Sequence, residues 1–137
     1  ATAMNKGTIG MLMAVAALLT VALLISAMPA DGILTTRGDT TIVDTRLPGK
    51  GIEGYNGATP VRIYICKNKV VKIATQPSQE TPKYMRMARQ LLTRYEGMTV
   101  TKAAKAEIDG VTGATYTSEA LKKNVKAGLE YYKKHSK

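Results

Sequence analysis

Val61-Arg62-Ile63-Tyr64-Ile65-Cys66-Lys67-Asn68-Lys69-Val70-Val71-Lys72-Ile73-Ala74 reads as two strands joined by a turn. Val61, Ile63 and Ile65 alternate with Arg62, Tyr64 and Cys66, the period-two pattern of a strand with one buried face. Lys67-Asn68-Lys69 is turn material, and residues 70–74 form the return strand.

Downstream the period changes to that of a helix. Thr81 suits an N-cap and Pro82 the first helical position, where its missing N–H costs nothing. Tyr84, Met85, Ala88, Leu91, Leu92 and Tyr95 recur at three- and four-residue spacing, with Lys83, Arg86, Arg89 and Gln90 on the other face. Gly97 supplies the stop. A short strand is expected at 98–100 and a final helix at about 118–132, with Ala120, Leu121, Val125, Leu129 and Tyr132 inward. The resulting class is α+β: a small, twisted, mainly antiparallel sheet with helices packed on it, preceded by one N-terminal transmembrane helix.

That leading helix rests on residues 7–30, which carry no charge and include Ile9, Leu12, Val15, Leu18, Leu19, Val21, Leu23, Leu24 and Ile25. A bilayer core needs about 20 apolar residues in a helix, so the segment can span. A cleaved signal peptide is the alternative, since Lys6 precedes the run, but Met28 and Pro29 spoil the small-x-small cleavage registers. Residues 1–30 are therefore expected as a membrane anchor. Residues 31–50, with Gly32, Gly38, Pro48 and Gly49, are expected as a linker and entry segment with a short strand at 40–43. Residues 51–137 are expected as the functional domain.

Charge and residue inventory narrow the chemistry. Formal charge is +10, and Lys6 alone among the charges precedes residue 31, leaving +9 on the remainder. Such a balance favours anionic partners. The cations are spread along the chain, so nucleic acid is not expected. Cys66 and His135 are the only residues of their kinds, which leaves disulfides, His-based metal sites and His triads without raw material. Phe and Trp are absent, so any ring that stacks on a ligand belongs to one of the seven tyrosines.

The densest chemical signal is Asp109-Gly110-Val111-Thr112-Gly113-Ala114-Thr115-Tyr116-Thr117-Ser118, at the start of the last helix. Small residues let backbone approach a ligand, a helix start offers free N–H groups and a positive dipole end, and the hydroxyls add donors. Those features make a phosphate cradle; taken alone, they equally describe a turn with hydroxyl caps. No nucleotide P-loop is present, because the Lys after Gly is missing.

Asp-x-x-Thr-Gly-Ala-Thr resembles the flavinylation sequence of the FMN-binding domain family, which includes the G subunit of the Rnf electron-transport complex and the C subunit of the sodium-pumping NADH:quinone reductase. Gly54-Tyr55-Asn56-Gly57 ahead of the hairpin is similar to the family's Gly-Tyr-x-Gly opening, and Glu80-Thr81-Pro82 resembles its Glu-Thr-Pro element near the flavin ring. In length the chain looks more like the stand-alone, single-domain members. The resemblance implies FMN joined through its phosphate to Thr115 by a flavin transferase, with Asp109 serving transferase recognition. It further implies that Thr112, Gly113 and Ala114 shape the phosphate loop, that Thr117 and Ser118 bond the phosphate or cap the helix, and that Glu80, Thr81 and Tyr55 touch the flavin.

The expected function is a membrane-tethered flavoprotein, on the extracytoplasmic side, that exchanges electrons with membrane redox partner proteins. An independent flavin-dependent reductase and a non-redox basic module that binds anionic lipid or polymer are the alternatives.

Overall fold

A computed structural model describes residues 32–136, so the expected membrane helix lies outside the described residues. Four strands, β1 (Leu34–Arg37), β2 (Thr40–Asp44), β3 (Val61–Cys66) and β4 (Lys69–Thr75), form one antiparallel meander in that order. They are followed by α1 (Pro82–Ala88), a 3₁₀ helix (Arg89–Tyr95), α2 (Val100–Lys105) and α3 (Thr115–His135). The class is α+β, with a four-stranded antiparallel sheet and three α-helices. Among the described residues, no helix is long and apolar enough to cross a membrane.

The register explains the core. Leu34 pairs with Val43, Val43 with Ile63, and Ile63 with Ile73, so one apolar row crosses all four strands. Every member of that row is buried. The expected hairpin closes through Lys67 and Asn68, both at positive φ (51° and 61°), the backbone that a two-residue turn of matching twist requires. Between the pairs Tyr64–Lys72 and Ile65–Val70 the register slips by one, leaving Val71 unpaired and exposed.

Helix α3 covers the buried sheet face with Leu121, Val125 and Leu129, each fully buried. Burial of such side chains stabilises by about 1.5–3 kcal/mol apiece. At Gly128 the helix comes so close that a Cβ would lie 2.7 Å from both Ile63 Cδ1 and Thr45 Cγ2.

A buried polar knot lies beside this contact. Asn124 accepts from Thr45 Oγ1 (3.1 Å) and donates through Nδ2 to Thr59 Oγ1 (2.9 Å) and the Ala120 carbonyl (3.1 Å). Thr45 Oγ1 in turn accepts from the Val61 N–H. These bonds pin the residues before β3 to the middle of α3.

Three elements differ from the expectation. Residues 31–50, read as a linker and entry with one short strand, supply two strands of the sheet, β1 and β2. The helix entered at Thr81 tightens from α to 3₁₀ at Arg89, although Ala88, Leu91, Leu92 and Tyr95 do point inward. Thr81 makes no side-chain cap bond there. The strand expected at 98–100 is a single bridge between Thr99 and Lys69, because Thr99 Oγ1 accepts the Lys102 N–H and starts α2 instead.

Candidate functional site

The start of α3 is the centre of the site. Ala114 holds the N-cap position and has no side-chain oxygen, so no side chain caps this 21-residue helix. Its first-turn N–H groups, Thr115 to Thr117, have no carbonyl one turn back and point out at the positive end of the helix dipole. Gly113, at φ +89°, makes the left-handed step into the helix, and a Cβ there would lie 3.0 Å from Met87 Cε. The loop before it is held from inside. Val111 N–H donates to Ser118 Oγ (2.9 Å), Ala114 N–H to the Val111 carbonyl (3.0 Å), and Lys122 Nζ to the Ile108 carbonyl (2.8 Å).

Helical phase sorts the hydroxyls. Thr112 and Thr115 are exposed, whereas Thr117 and Ser118 are fully buried. Thr117 Oγ1 donates to Glu80 Oε2 (3.0 Å), and Ser118 Oγ fastens the loop. Both hydroxyls therefore serve the frame of the site, while Thr115 faces a cleft.

That cleft, about 260 Å³, is lined by Tyr55, Tyr84, Gly113, Ala114, Thr115, Tyr116 and Thr117. Tyr55 meets Tyr84 edge to face, with centroids 5.1 Å apart and planes at 83°, and lies 6.4 Å from Tyr116. Tyr55 and Tyr116 are 62% and 70% exposed, so both present ring surface to the cleft mouth. The arrangement joins aromatic walls, suited to a flat ring system, to free backbone donors, suited to a phosphate.

Glu80 stands behind this wall, only 4% exposed. Its carboxylate accepts four hydrogen bonds: from the N–H groups of Tyr55 (2.7 Å), Asn56 (2.9 Å) and Thr81 (2.8 Å), and from the Thr117 hydroxyl. Burial alone would push its carboxyl up, but the bonds from Thr81, Thr117, Asn56 and Tyr55 outweigh it and hold the group below the usual range. Gly54 makes room for this clasp, since a Cβ there would sit 1.9 Å from Glu80 Oε2. Glu80 thus binds the Tyr55 loop, the entry to α1 and the first turn of α3 into one frame. Thr81 is half-buried beside it.

Asp109 is exposed and lies outside the tyrosine-lined cleft. It borders a neighbouring cleft of about 500 Å³ that also holds Tyr95, Glu119 and Lys122. Burial, with the nearby Glu119 carboxylate, raises the Tyr95 phenol to about 12. Sequence reasoning missed Lys122 and the inward turn of Glu80. The Glu-Thr-Pro element was visible in the sequence, but not the four donors that converge on its carboxylate. Among the described residues, no group of His, Cys, Asp or Glu is placed to hold a metal ion.

Comparison with curated proteins and with solved structures returned no match. The FMN-binding domain family matches residues 54–130, from the loop under Tyr55 through most of α3. This stretch contains every residue lining the tyrosine-walled cleft, together with the free helix start. The chain belongs to the FMN-binding domain family, and its cofactor is FMN.

Proposed function

We propose that this flavoprotein carries its FMN as a phosphoester on Thr115 and acts as a membrane-tethered electron carrier. Residues 1–30 are the anchor in this reading, and the domain lies on the extracytoplasmic side. The observation that carries it is the placement of Thr115: an exposed hydroxyl in the uncapped first turn of α3, on the wall of an aromatic cleft. Bound FMN supplies one- or two-electron chemistry, and the protein supplies placement and tuning.

Each residue has a part. The first-turn N–H groups of α3 hold the phosphate, and the Thr115 oxygen carries it. Gly113 and Ala114 keep the loop low enough for that approach, with Thr112 beside them. Tyr55, Tyr84 and Tyr116 line the wall against which the flavin ring rests. Thr81 and Glu80 belong to the inner frame, where Glu80 orients the Tyr55 loop and α3 through its hydrogen bonds. Asp109, exposed at the head of the motif, is open to recognition by a flavin transferase. The resemblance to subunits of the Rnf complex and the sodium-pumping NADH:quinone reductase supports membrane redox proteins as partners.

The test is a mass measurement on denatured protein from cells that also make a flavin transferase. The natural chain should gain the mass of the FMN phosphoester, and Thr115→Ala should fold without it. Flavin mass retained on the Ala variant would refute the attachment. Protease added to cells with a permeable outer layer should digest the domain; protection equal to that of a cytoplasmic marker would refute the placement.

A further inference from the structure

The helical segment that supplies Tyr84 to the flavin cleft carries side-chain charge of one sign. From Pro82 to Tyr95 the chain has four cations, Lys83, Arg86, Arg89 and Arg94, and no carboxylate. All four are exposed, and recur at three- to five-residue spacing along α1 and the 3₁₀ helix. The ion pairs among the described residues involve Arg46, Lys122 and Lys133, so none of the four is neutralised. The opposite side of the same helix pair faces the core through Ala88, Leu91 and Leu92. Tyr84, between Lys83 and Arg86, lines the cleft itself, where Tyr55 and Tyr116 add exposed aromatic surface. A helix needs cations on its outer face for solubility, but not to the exclusion of every acid.

We infer that this cationic face, together with the exposed tyrosines, is the docking surface for an acidic one-electron redox protein. The inference rests on the electron-carrier reading above and adds to it the charge of the partner and the side of approach. Docking sites of transient redox pairs are small, with an apolar centre at the cofactor edge and charges around it that steer the encounter. Here the tyrosines form the centre, Lys83 and Arg86 adjoin Tyr84 along α1, and Arg89 and Arg94 extend the charge along the 3₁₀ helix, Arg89 toward β4. Association of oppositely charged surfaces gains on the order of 10–1,000-fold in rate at low salt and loses it as salt screens the field.

The test uses the full flavin-loaded chain in nanodiscs, reduced beforehand, and two haem proteins as acceptors: acidic cytochrome b5 and basic cytochrome c. Each ferric haem takes one electron, so two haems oxidise one fully reduced flavin while its protons pass to buffer. Stopped-flow spectra of the haem read the rate. Cytochrome b5 should be reduced at least about tenfold faster at low salt than at high salt, and cytochrome c should show no such gain. Lys83→Gln with Arg86→Gln should remove most of the gain, and adding Arg89→Gln and Arg94→Gln the remainder. The flavin spectrum and flavin mass should be unchanged in these variants. Should the larger variant misfold, the Lys83/Arg86 pair alone decides.

A rate for cytochrome b5 that ignores salt and these substitutions would overturn the docking surface while leaving the electron-carrier reading intact. Failure to reduce either haem protein would overturn both. If the substitutions matter only in nanodiscs of anionic lipid and not in neutral ones, the face meets the bilayer, and the acidic protein partner is refuted.

Discussion

Replacing Glu80 by Gln should destabilise the domain although side-chain volume hardly changes. Oε1 of the amide would still accept from Asn56 and Thr81, but the new NH₂ would face the Tyr55 N–H, a donor against a donor. The Thr117 hydroxyl can turn to accept from it. One unsatisfied buried N–H costs about 1–3 kcal/mol, and the surviving bonds lose their charge assistance, for roughly 3 kcal/mol in total. Removing a buried charge recovers some desolvation. Since the carboxyl lies below its ordinary range despite burial, the bonds outweigh the cost of burying the charge, and the loss remains net. For a domain of this size the melting temperature should fall by roughly 10 °C or more.

The pH dependence gives a second reading of the same group. A carboxylate held below its ordinary value of about 4.3 contributes its stability fully above that value and loses it as pH falls through the lowered one. Asp44 is also lowered, against burial, by its bonds from Arg46 and Gln76, and is common to both proteins. The acid-side slope should therefore flatten, but not vanish, in the Gln variant. Gly54→Ala, which drives a methyl into Oε2, should cost a similar amount. Thermal melts by circular dichroism from neutral pH to about pH 3 decide the matter. A Gln variant that melts within roughly 2 °C of the parent, with an unchanged acid slope, would refute the clasp.

Asn124→Ala should cost about 2–4 kcal/mol in urea denaturation, because it leaves the Thr59 hydroxyl without its donor, breaks the Thr45 bond and opens a void under α3. Tyr95 should ionise near 12 in an alkaline absorbance titration, and Tyr95→Phe should abolish that phase. Its raised value stabilises the fold fully below about pH 10 and loses that contribution as pH climbs toward the folded value. Lys67→Asn with Asn68→Gly should raise stability by about 1 kcal/mol, since both residues stand at positive φ where Asn-Gly is favoured; an unchanged or lower urea midpoint would contradict it.

Periodicity carried the elements that bury a regular apolar face. The hairpin alternates cleanly, and α3 repeats Leu121, Val125 and Leu129, so both were legible. β1 was not: Leu34 is its only buried residue, and Thr35, Thr36 and Arg37 are all exposed, which is the composition of a loop. α2 has six residues, too few for its buried Val100, Ala103 and Ala104 to announce a period. Within the motif, the local sequence presented four hydroxyls as equivalents. Only the phase of α3 separates Thr112 and Thr115, which face out, from Thr117 and Ser118, which face in. The Glu80 clasp was illegible for a different reason. Its partners lie up to 37 residues away along the chain, and a carboxylate between Gln79 and Thr81 looks like surface until the fold brings four donors to it.

The helix that begins at Thr115 finds its seat at Gly128, against Val43, Thr45 and Ile63 from the opposite half of the described domain. A nascent or partly unfolded chain can expose residues 109–118, but it cannot present them on a docked helix beside the Tyr55 loop. Under the attachment proposed at Thr115, a transferase that reads the docked helix would load only chains whose sheet has assembled. On that reading, chains that stall before α3 docks would stay colourless, and the yellow fraction of a preparation would count those that reached the native state.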